Sequence, residues 1–223
     1  MAKITGVLAL FCLLLTLLWL GLLISDNATA GPLGTFEQVA EHAARPGWLF
    51  NATYLNAGLV TLCAVAFFAA LYAYLKPAAS GWPVIGLVFV PIYGAINLVV
   101  YLSQVTLIPT LLALRPDPRY TEIVDVLLRL ALQAWLASPI AFFNGLAYAI
   151  LGIPSILFGW LLWKRTGGLR WGGALLALNG FACILGLIGY LTGNHLLSQG
   201  ILIGGVLFLL ALIPISWGLL RKV

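Results

Sequence analysis

The stretch WLLWKRTGGLRWGGALLALNG, residues 160–180, decides the fold class of this chain. Two apolar runs flank a short break that holds Lys164, Arg165, Arg170 and a Gly-Gly pair suited to a tight turn. The whole chain is 63% hydrophobic and only 8% charged, with a mean hydropathy of +1.10. Soluble domains average about 25% charged residues. The stretch therefore predicts a turn between two spanning helices of an integral membrane protein.

Four further apolar runs resemble the two that flank this turn, which gives six spans in total. A spanning helix needs about 20 predominantly apolar residues, and each run reaches that length. Only short polar pieces separate most of the runs, so we predict an all-α polytopic bundle that forms one transmembrane domain over residues 1–223. The predicted spans lie near residues 4–24, 47–75, 83–108, 140–163, 171–192 and 199–220.

Two polar segments between spans are predicted to form short amphipathic helices at the outer surface. In the first, near residues 35–45, Thr35 and Gln38 have the spacing of a capping box. The second lies near residues 121–137 and carries Glu122 in its first turn. Together these helices would form a cap that holds most of the acidic residues.

The second outer helix cannot continue into the fourth span as one straight helix. Residues 130–163 would then extend for about 50 Å at ~1.5 Å per residue. The hydrocarbon core of a bilayer is only ~30 Å thick. We therefore predict a break at Ser138 and Pro139.

The cations are distributed unequally between the two sides of the predicted bundle. With a cytoplasmic N-terminus, seven of the 11 Lys and Arg lie inside, whereas four of them and all six acidic residues lie outside. Lys and Arg near span ends favour the cytoplasm, so we predict a multi-pass protein of a bacterial cytoplasmic (inner) membrane with both termini inside. The predicted inner cations are Lys3, Lys76, Lys164, Arg165, Arg170, Arg221 and Lys222.

The net charge of +5 comes from only 11 Lys and Arg, most of which flank the apolar runs as topology signals. Nucleic acid is therefore not a predicted partner. Lys164, Arg165 and Arg170 are predicted to anchor the turn at the lipid headgroups. A specific site for an anionic lipid at the same residues is the alternative.

The N-terminal span shares features with a secretory signal peptide. Lys3 precedes an apolar run, and the small residues of NATA precede Gly31. A signal core is about 7–15 residues long, whereas this run is nearer 20, so we favour a retained anchor. Cleavage would leave five spans in the same orientation.

The predicted spans hold no acid, base or metal ligand near their centres. Their middles lack Lys, Arg, Asp, Glu and His, which disfavours a proton-coupled pump. Metalloprotease, nucleophile-elbow and P-loop motifs are also missing from the sequence. His42 and His195 are predicted at the outer side in solvated or capping roles, with a shared metal as the alternative. The sequence implies no cofactor and no catalytic residue.

Amides and phenols, by contrast, enter the bilayer at helical spacing. In the third span they recur at intervals of four, four and three residues, which places them on one face of a helix. An unpaired amide in hydrocarbon costs several kcal/mol, so these polar stripes must point into the bundle. We name as candidate ligand-binding residues Asn56, Tyr93, Asn97, Tyr101, Gln104, Asn144, Tyr148 and Asn179.

Two interpretations of the polar stripes remain open. They can be hydrogen bonds that join neighbouring helices, which typically stabilise by about 0.6–2 kcal/mol each. They can also line a cavity for a lipid, a quinone-like molecule or another mostly apolar ligand. Because Asn56, Asn97, Gln104 and Asn144 are predicted in the middle or outer half of the bilayer, such a cavity would open outward, below the cap.

The turn between the fourth and fifth spans carries a resemblance to a known family. The residues concerned are GWLL at 159–162, KRTGGLR at 164–170, Gly172, LL at 175–176 and Gly180. This arrangement resembles a bacterial six-span integral membrane family known only as a domain of unknown function. The resemblance implies the six-span outline with a cytoplasmic N-terminus, and it implies no activity and no site residues.

The sequence thus favours a multi-pass protein that is not an enzyme, either an accessory subunit or a binder of an apolar ligand. Its expected partners are the bilayer and either an apolar small molecule or another membrane protein. A small transporter or channel is the alternative, since a short echo relates residues 144–152 to residues 179–186 in opposite directions across the membrane. An intramembrane enzyme ranks third.

Overall fold

A computed structural model describes residues 1–31, 33–45, 47–78 and 81–221. These residues are 86% helical and contain no strand, so the predicted all-α class is confirmed. The predicted inner cation Lys222 lies outside the described residues. The described helices are α1 (Ala2–Ala30), α2 (Phe36–Ala44), α3 (Leu49–Leu75), α4 (Trp82–Leu114), α5 (Thr121–Ala131), α6 (Pro139–Trp163), α7 (Gly168–Thr192), α8 (His195–Ser198) and α9 (Gly200–Leu220).

Six of these helices are long and apolar enough to cross a membrane, as the sequence predicts. They are α1, α3, α4, α6, α7, and α8 together with α9. The third is longer than predicted, because α4 continues past residue 108 to Leu114 and spans 33 residues. At ~1.5 Å per residue this is about 50 Å, so one end of α4 projects beyond a ~30 Å hydrocarbon core.

The six long helices pack as a closed ring. Each makes most of its contacts with two neighbours, in the order α1, α3, α4, α6, α7, α9 and back to α1. A Cβ placed on Gly6 of α1 would lie 3.1 Å from Leu219 Cβ of α9, so the start of α1 and the end of α9 lie at the same end of the bundle. We call this end of the bundle the terminal face and the opposite end the cap face.

Aromatic side chains fill the centre of the ring. Phe67 and Phe68 of α3 are fully buried against Phe158 of α6 and Phe208 of α9. The rings of Phe68 and Phe208 are stacked with centroids 6.2 Å apart, and those of Phe68 and Phe158 lie 5.9 Å apart. Such contacts stabilise by dispersion and by favourable ring geometry, and they close the middle of the ring with carbon rather than water.

Glycines allow α6, α7 and α9 to approach closely. A Cβ on Gly152 would lie 2.7 Å from the carbonyl oxygen of Gly180, and one on Gly159 would lie 2.6 Å from that of Gly173. Small residues at such positions let membrane helices pack backbone against backbone. The turn between α6 and α7 falls at residues 164–167, where Gly167 has φ 66°. The predicted hairpin is therefore present.

The cap face carries a second, smaller core. Phe36 and Val39 of α2 pack with Ile108 of α4 and with Val124 and Leu128 of α5. The projecting end of α4 is thus the support on which α2 and α5 rest. We refer to α2, α5 and this end of α4 as the cap.

The local signals for α2 and for the start of α6 are confirmed. Thr35 Oγ1 accepts a hydrogen bond from Gln38 N, and Gln38 Oε1 accepts one from Thr35 N. Ser138 caps α6 by accepting a hydrogen bond at 3.0 Å from Ala141 N, immediately before Pro139.

The second outer helix is shorter than predicted. It ends at Ala131 rather than near residue 137, and residues 132–138 form turns. The reason is long-range capping. Gln104 of α4 donates to Ala131 O and accepts from Gln133 N, while the Ser138 hydroxyl donates to Leu132 O. These hydrogen bonds occupy backbone groups that would otherwise form the next hydrogen bonds of the helix.

Candidate functional site

The polar stripes do point into the bundle. Asn97 and Gln104 have no exposed surface, and Asn144 and Tyr148 are half-buried. The stripe on α7, which consists of Asn179, Cys183, Gly186 and Tyr190, is the exception. Tyr190 at its outer end is exposed and donates to Leu136 O. The remaining candidates are buried, namely Asn56, Tyr93, Tyr101 and Asn179.

Tyrosines connect α4 to α6 near the middle of both helices. The hydroxyls of Tyr101 and Tyr148 lie 2.7 Å apart, and the ring of Tyr148 also packs against that of Tyr93 with centroids 6.1 Å apart. Beside them, Asn97 Nδ2 donates at 3.3 Å to the hydroxyl of Thr61 on α3. This group therefore joins three neighbouring helices of the ring.

Gln104 connects α4 to the segment between α5 and α6. Its Nε2 donates to Ala131 O at 2.9 Å, and its Oε1 accepts from Gln133 N at 3.0 Å. The side chain of Gln133 in turn accepts a hydrogen bond at 2.9 Å from the hydroxyl of Tyr54 on α3. The buried Gln104 amide and the backbone of the turn that follows α5 thus satisfy each other's hydrogen-bonding groups.

Asn179 joins α7 to α9 through a hydrogen bond from its side-chain amide. Its Nδ2 donates at 2.8 Å to Gly204 O, where the absence of a side chain brings the two helices together. Cys183 lies one turn further along α7 and takes a second contact from the same amide nitrogen at 3.6 Å. This stripe is a helix junction.

Some acceptors in these stripes have no partner among the described residues. The side-chain oxygens concerned are buried, and each faces the interior of the bundle rather than lipid. Buried water commonly occupies such positions, making about three hydrogen bonds to otherwise unsatisfied groups. The atoms are Oδ1 of Asn56, Asn97, Asn144 and Asn179, Oγ1 of Thr53 and Oγ of Ser155.

A buried acid–imidazole pair lies where the sequence predicts solvated groups. His42 Nε2 is 3.1 Å from Asp26 Oδ2, and both side chains are at most 10% exposed. Asp26 belongs to the last turns of α1 and His42 to α2, so the pair fastens the cap to the first span. The ring of Phe50 covers His42 edge-on at 6.3 Å. The prediction of a solvated or capping His42 is wrong because α2 folds back onto α1.

The predicted metal alternative finds no geometric support. His195 is exposed at the start of α8, whereas His42 is buried against α1. Among the described residues, no group of three or more His, Cys, Asp or Glu side chains is arranged to hold a metal ion.

Sequence reasoning missed several members of these junctions. Tyr54 and Thr61 lie seven residues apart on α3, a helical spacing that could have identified them. Gln133 falls inside the predicted outer helix, so its role in a turn had no local signal. Thr5 was also missed, although its hydroxyl donates at 3.1 Å to Ala70 O and joins α1 to α3.

Ion pairs stabilise the cap. Arg129 of α5 donates at 3.1 Å to Glu37 of α2, and its guanidinium lies 3.9 Å from the centroid of the Phe36 ring. In the link before α5, the side chain and backbone of Arg119 hold the pKa of Asp117 below its ordinary value. The backbone N–H of Glu37 in the first turn of α2, the Thr35 hydroxyl and Arg129 together lower the pKa of the Glu37 carboxyl.

Two open grooves lie at opposite ends of the bundle. The groove at the cap face has a volume of about 310 Å³, and its lining includes Arg45, Phe50, Asn51 and Pro109. The groove at the terminal face has a volume of about 290 Å³ and is lined by Trp160, Trp163, Lys164 and Arg170. Neither groove is lined by a residue of the polar stripes. Both lie near the ends of the long helices rather than at their middles.

Two of the predicted lipid-anchoring cations, Lys164 and Arg165, lie in the turn between α6 and α7, and Arg170 lies in the first turn of α7. Lys164 and Arg170 are exposed and Arg165 is half-buried. Lys164 Nζ lies 5.4 Å from the centroid of the Trp160 ring. These residues are therefore placed at the end of two apolar spans with their charges directed outward.

No protein-family model, no curated protein and no solved structure matches the chain.

Proposed function

We propose that this multi-pass protein is a non-enzymatic accessory subunit that acts through its outer surfaces in a larger membrane assembly. The observation that carries this proposal is that side chains of the polar stripes form hydrogen bonds between helices of the bundle. Gln104, Asn179 and the Tyr101–Tyr148 pair each bond a neighbouring helix or the turn beside it. Side chains committed to such junctions rigidify a bundle and leave its outer faces to meet partners.

The proposed location is a bacterial cytoplasmic membrane with both termini in the cytoplasm. Support comes from the cations, because the terminal face holds Lys3, Lys76 and the hairpin residues Lys164, Arg165 and Arg170. All six acidic residues belong to α2, to α5 and the link before it, and to the end of α1 that meets the cap. The resemblance of the hairpin to a six-span family of unknown function agrees with this orientation and adds no activity.

Native mass spectrometry of the protein, released from nanodiscs cut directly from membrane, tests the proposal. We expect a defined protein–protein mass, either with a second copy or with another membrane protein at fixed stoichiometry. A bare monomer would contradict the proposal. So would a small molecule of defined mass that is lost in Asn97→Leu but kept in Gln199→Leu, an exposed amide at the cap face, since the stripes would then be a ligand site.

A small transporter or channel is the second candidate. The unpartnered oxygens of Asn56, Asn97 and Asn144 favour it, because acceptors without protein partners can line a hydrated path. Solute flux in proteoliposomes tests this candidate. Flux that falls at least several-fold in Asn97→Leu supports a path along the stripe, whereas flux that is absent or unchanged in the variant excludes it.

A further inference from the structure

The groove at the terminal face combines positive charge with aromatic surface. Lys164 and Arg170 line it together with Trp160 and Trp163, whose rings meet edge to face with centroids 5.8 Å apart. Lys164 Nζ lies 5.4 Å from the centroid of the Trp160 ring. A ligand in this groove would contact two cationic groups and two indole rings at once.

No Asp or Glu side chain neutralises these cations. All six acidic residues lie at the cap face, on α1 near its end, on α2, and on the link and helix that follow α4. The three Arg–carboxylate ion pairs among the described residues and the Asp26–His42 contact are likewise confined to that face. The groove therefore carries uncompensated positive charge and is complementary to an anion.

The position of the groove selects the kind of anion. It lies where α6 ends and α7 begins, at the boundary between their apolar surfaces and water. Trp160, Trp163 and Trp171 are all substantially exposed there, as expected of indoles at the level of lipid headgroups. A ligand bound at this level meets headgroups on one side and hydrocarbon on the other.

We propose that this groove is a binding site for an anionic phospholipid. Lys164 and Arg170 hold the phosphate group, Lys as a compact charge and Arg through its planar fork of donors. Trp160 and Trp163 pack along the start of an acyl chain. Arg165 contributes charge from the same turn without lining the groove. This site is separate from the polar stripes and does not depend on the accessory function proposed above.

The test compares two lipids that differ only in headgroup. Purified full-length protein is titrated with phosphatidylglycerol or with phosphatidylcholine of the same acyl chains, and occupancy is read by native mass spectrometry. We expect wild type to prefer phosphatidylglycerol. Removing one cation near a membrane surface should weaken this binding about fivefold, so Lys164→Gln combined with Arg170→Gln should weaken it roughly 30-fold.

Three controls separate a built site from general surface charge. Arg221→Gln removes a cation at the same face, where Arg221 lies 3.9 Å from the centroid of the Trp217 ring, and it should keep the preference. Lys164→Arg combined with Arg170→Lys should keep it as well. Millimolar inorganic phosphate should leave bound phosphatidylglycerol in place.

Several outcomes would overturn the proposal. Equal occupancy by the two lipids would show that the anionic headgroup is not recognised. An equal loss in Arg221→Gln would reduce the effect to general surface charge. Displacement by inorganic phosphate would indicate a site for a soluble anion. The melting temperature of each variant, measured in the same detergent, separates loss of binding from loss of fold.

Discussion

Gln104 is the side chain on which the cap depends most directly. It has no exposed surface, and it bonds the backbone on both sides of the point where α5 ends. Since helix ends leave carbonyl groups without intrahelical partners, an amide supplied from another helix can fix where the chain turns. Elsewhere in the cap, the contact between the side chains of Asp26 and His42 joins α1 to α2.

Gln104→Leu should destabilise the protein, because it leaves Ala131 O and Gln133 N buried without their side-chain partner. An unsatisfied buried backbone group costs about 1–3 kcal/mol. We therefore expect a loss of at least this size in the free energy of unfolding, measured by denaturant titration in detergent micelles. Gln199→Leu makes the same chemical change at an exposed position and should have little effect. Equal free energies of unfolding for the two variants would contradict the capping role of Gln104.

The helices of this protein fall into two groups by the way they pack. α6, α7 and α9 meet through glycines, with backbone close to backbone. α1 and α3 meet through side chains, including the Thr5 hydroxyl bonded to Ala70 O. In a bilayer the hydrophobic effect does not drive helices together, so close van der Waals contact supplies most of the attraction. The glycine group should therefore be the most sensitive to added volume.

Gly159→Ala should test that sensitivity. The new Cβ would lie 2.6 Å from both Ala177 N and Gly173 O, which are backbone atoms that cannot move aside independently. Overpacking of this kind typically costs about 1–3 kcal/mol. We expect a lower melting temperature in detergent, read by circular dichroism. Gly205→Ala on α9 has nothing within 4 Å of its Cβ and should be neutral or slightly stabilising. A neutral Gly159→Ala would contradict this account of the α6–α7 contact.

At the scale of the whole molecule, the ring of six helices is closed and its centre is filled by phenylalanines. One end of the ring carries the cap, with the three Arg–carboxylate ion pairs of the described residues and the Asp26–His42 contact. The other end carries the basic hairpin. This polarity of charge is the observation that supports the proposed orientation, with the terminal face in the cytoplasm. It also separates the two surfaces through which a partner and an anionic lipid would bind.

The proposed orientation predicts which turns are reachable from outside a cell. Cys12, Cys63 and Cys183 are buried, so wild type should not react with a membrane-impermeant maleimide. His195→Cys at the cap face should be labelled in intact bacteria. Thr166→Cys in the hairpin should be labelled only after permeabilisation. The reverse pattern would invert the orientation, and labelling of both in intact cells would contradict the proposed topology.

The polar stripes show which features of the candidate site could be predicted from the sequence. Helical spacing placed Tyr93, Asn97, Tyr101 and Gln104 on one inward face, because amides and phenols avoid lipid. Helical spacing could not predict the hydrogen-bond partner of each side chain. The bond from Asn97 to Thr61 depends on the position of α3, and the two bonds of Gln104 depend on where a distant helix ends.

The sequence by itself determined the six spans, the hairpin at residues 164–167, the capping box at Thr35 and the break before Pro139. These features follow from local chemistry, namely apolar length, turn residues and backbone capping within a few positions. Only the tertiary structure decided the ring order, the end of α5 at Ala131 and the burial of His42 against Asp26. Each of these depends on groups far apart in the chain, whose meeting is set by packing between helices and leaves no local pattern to read.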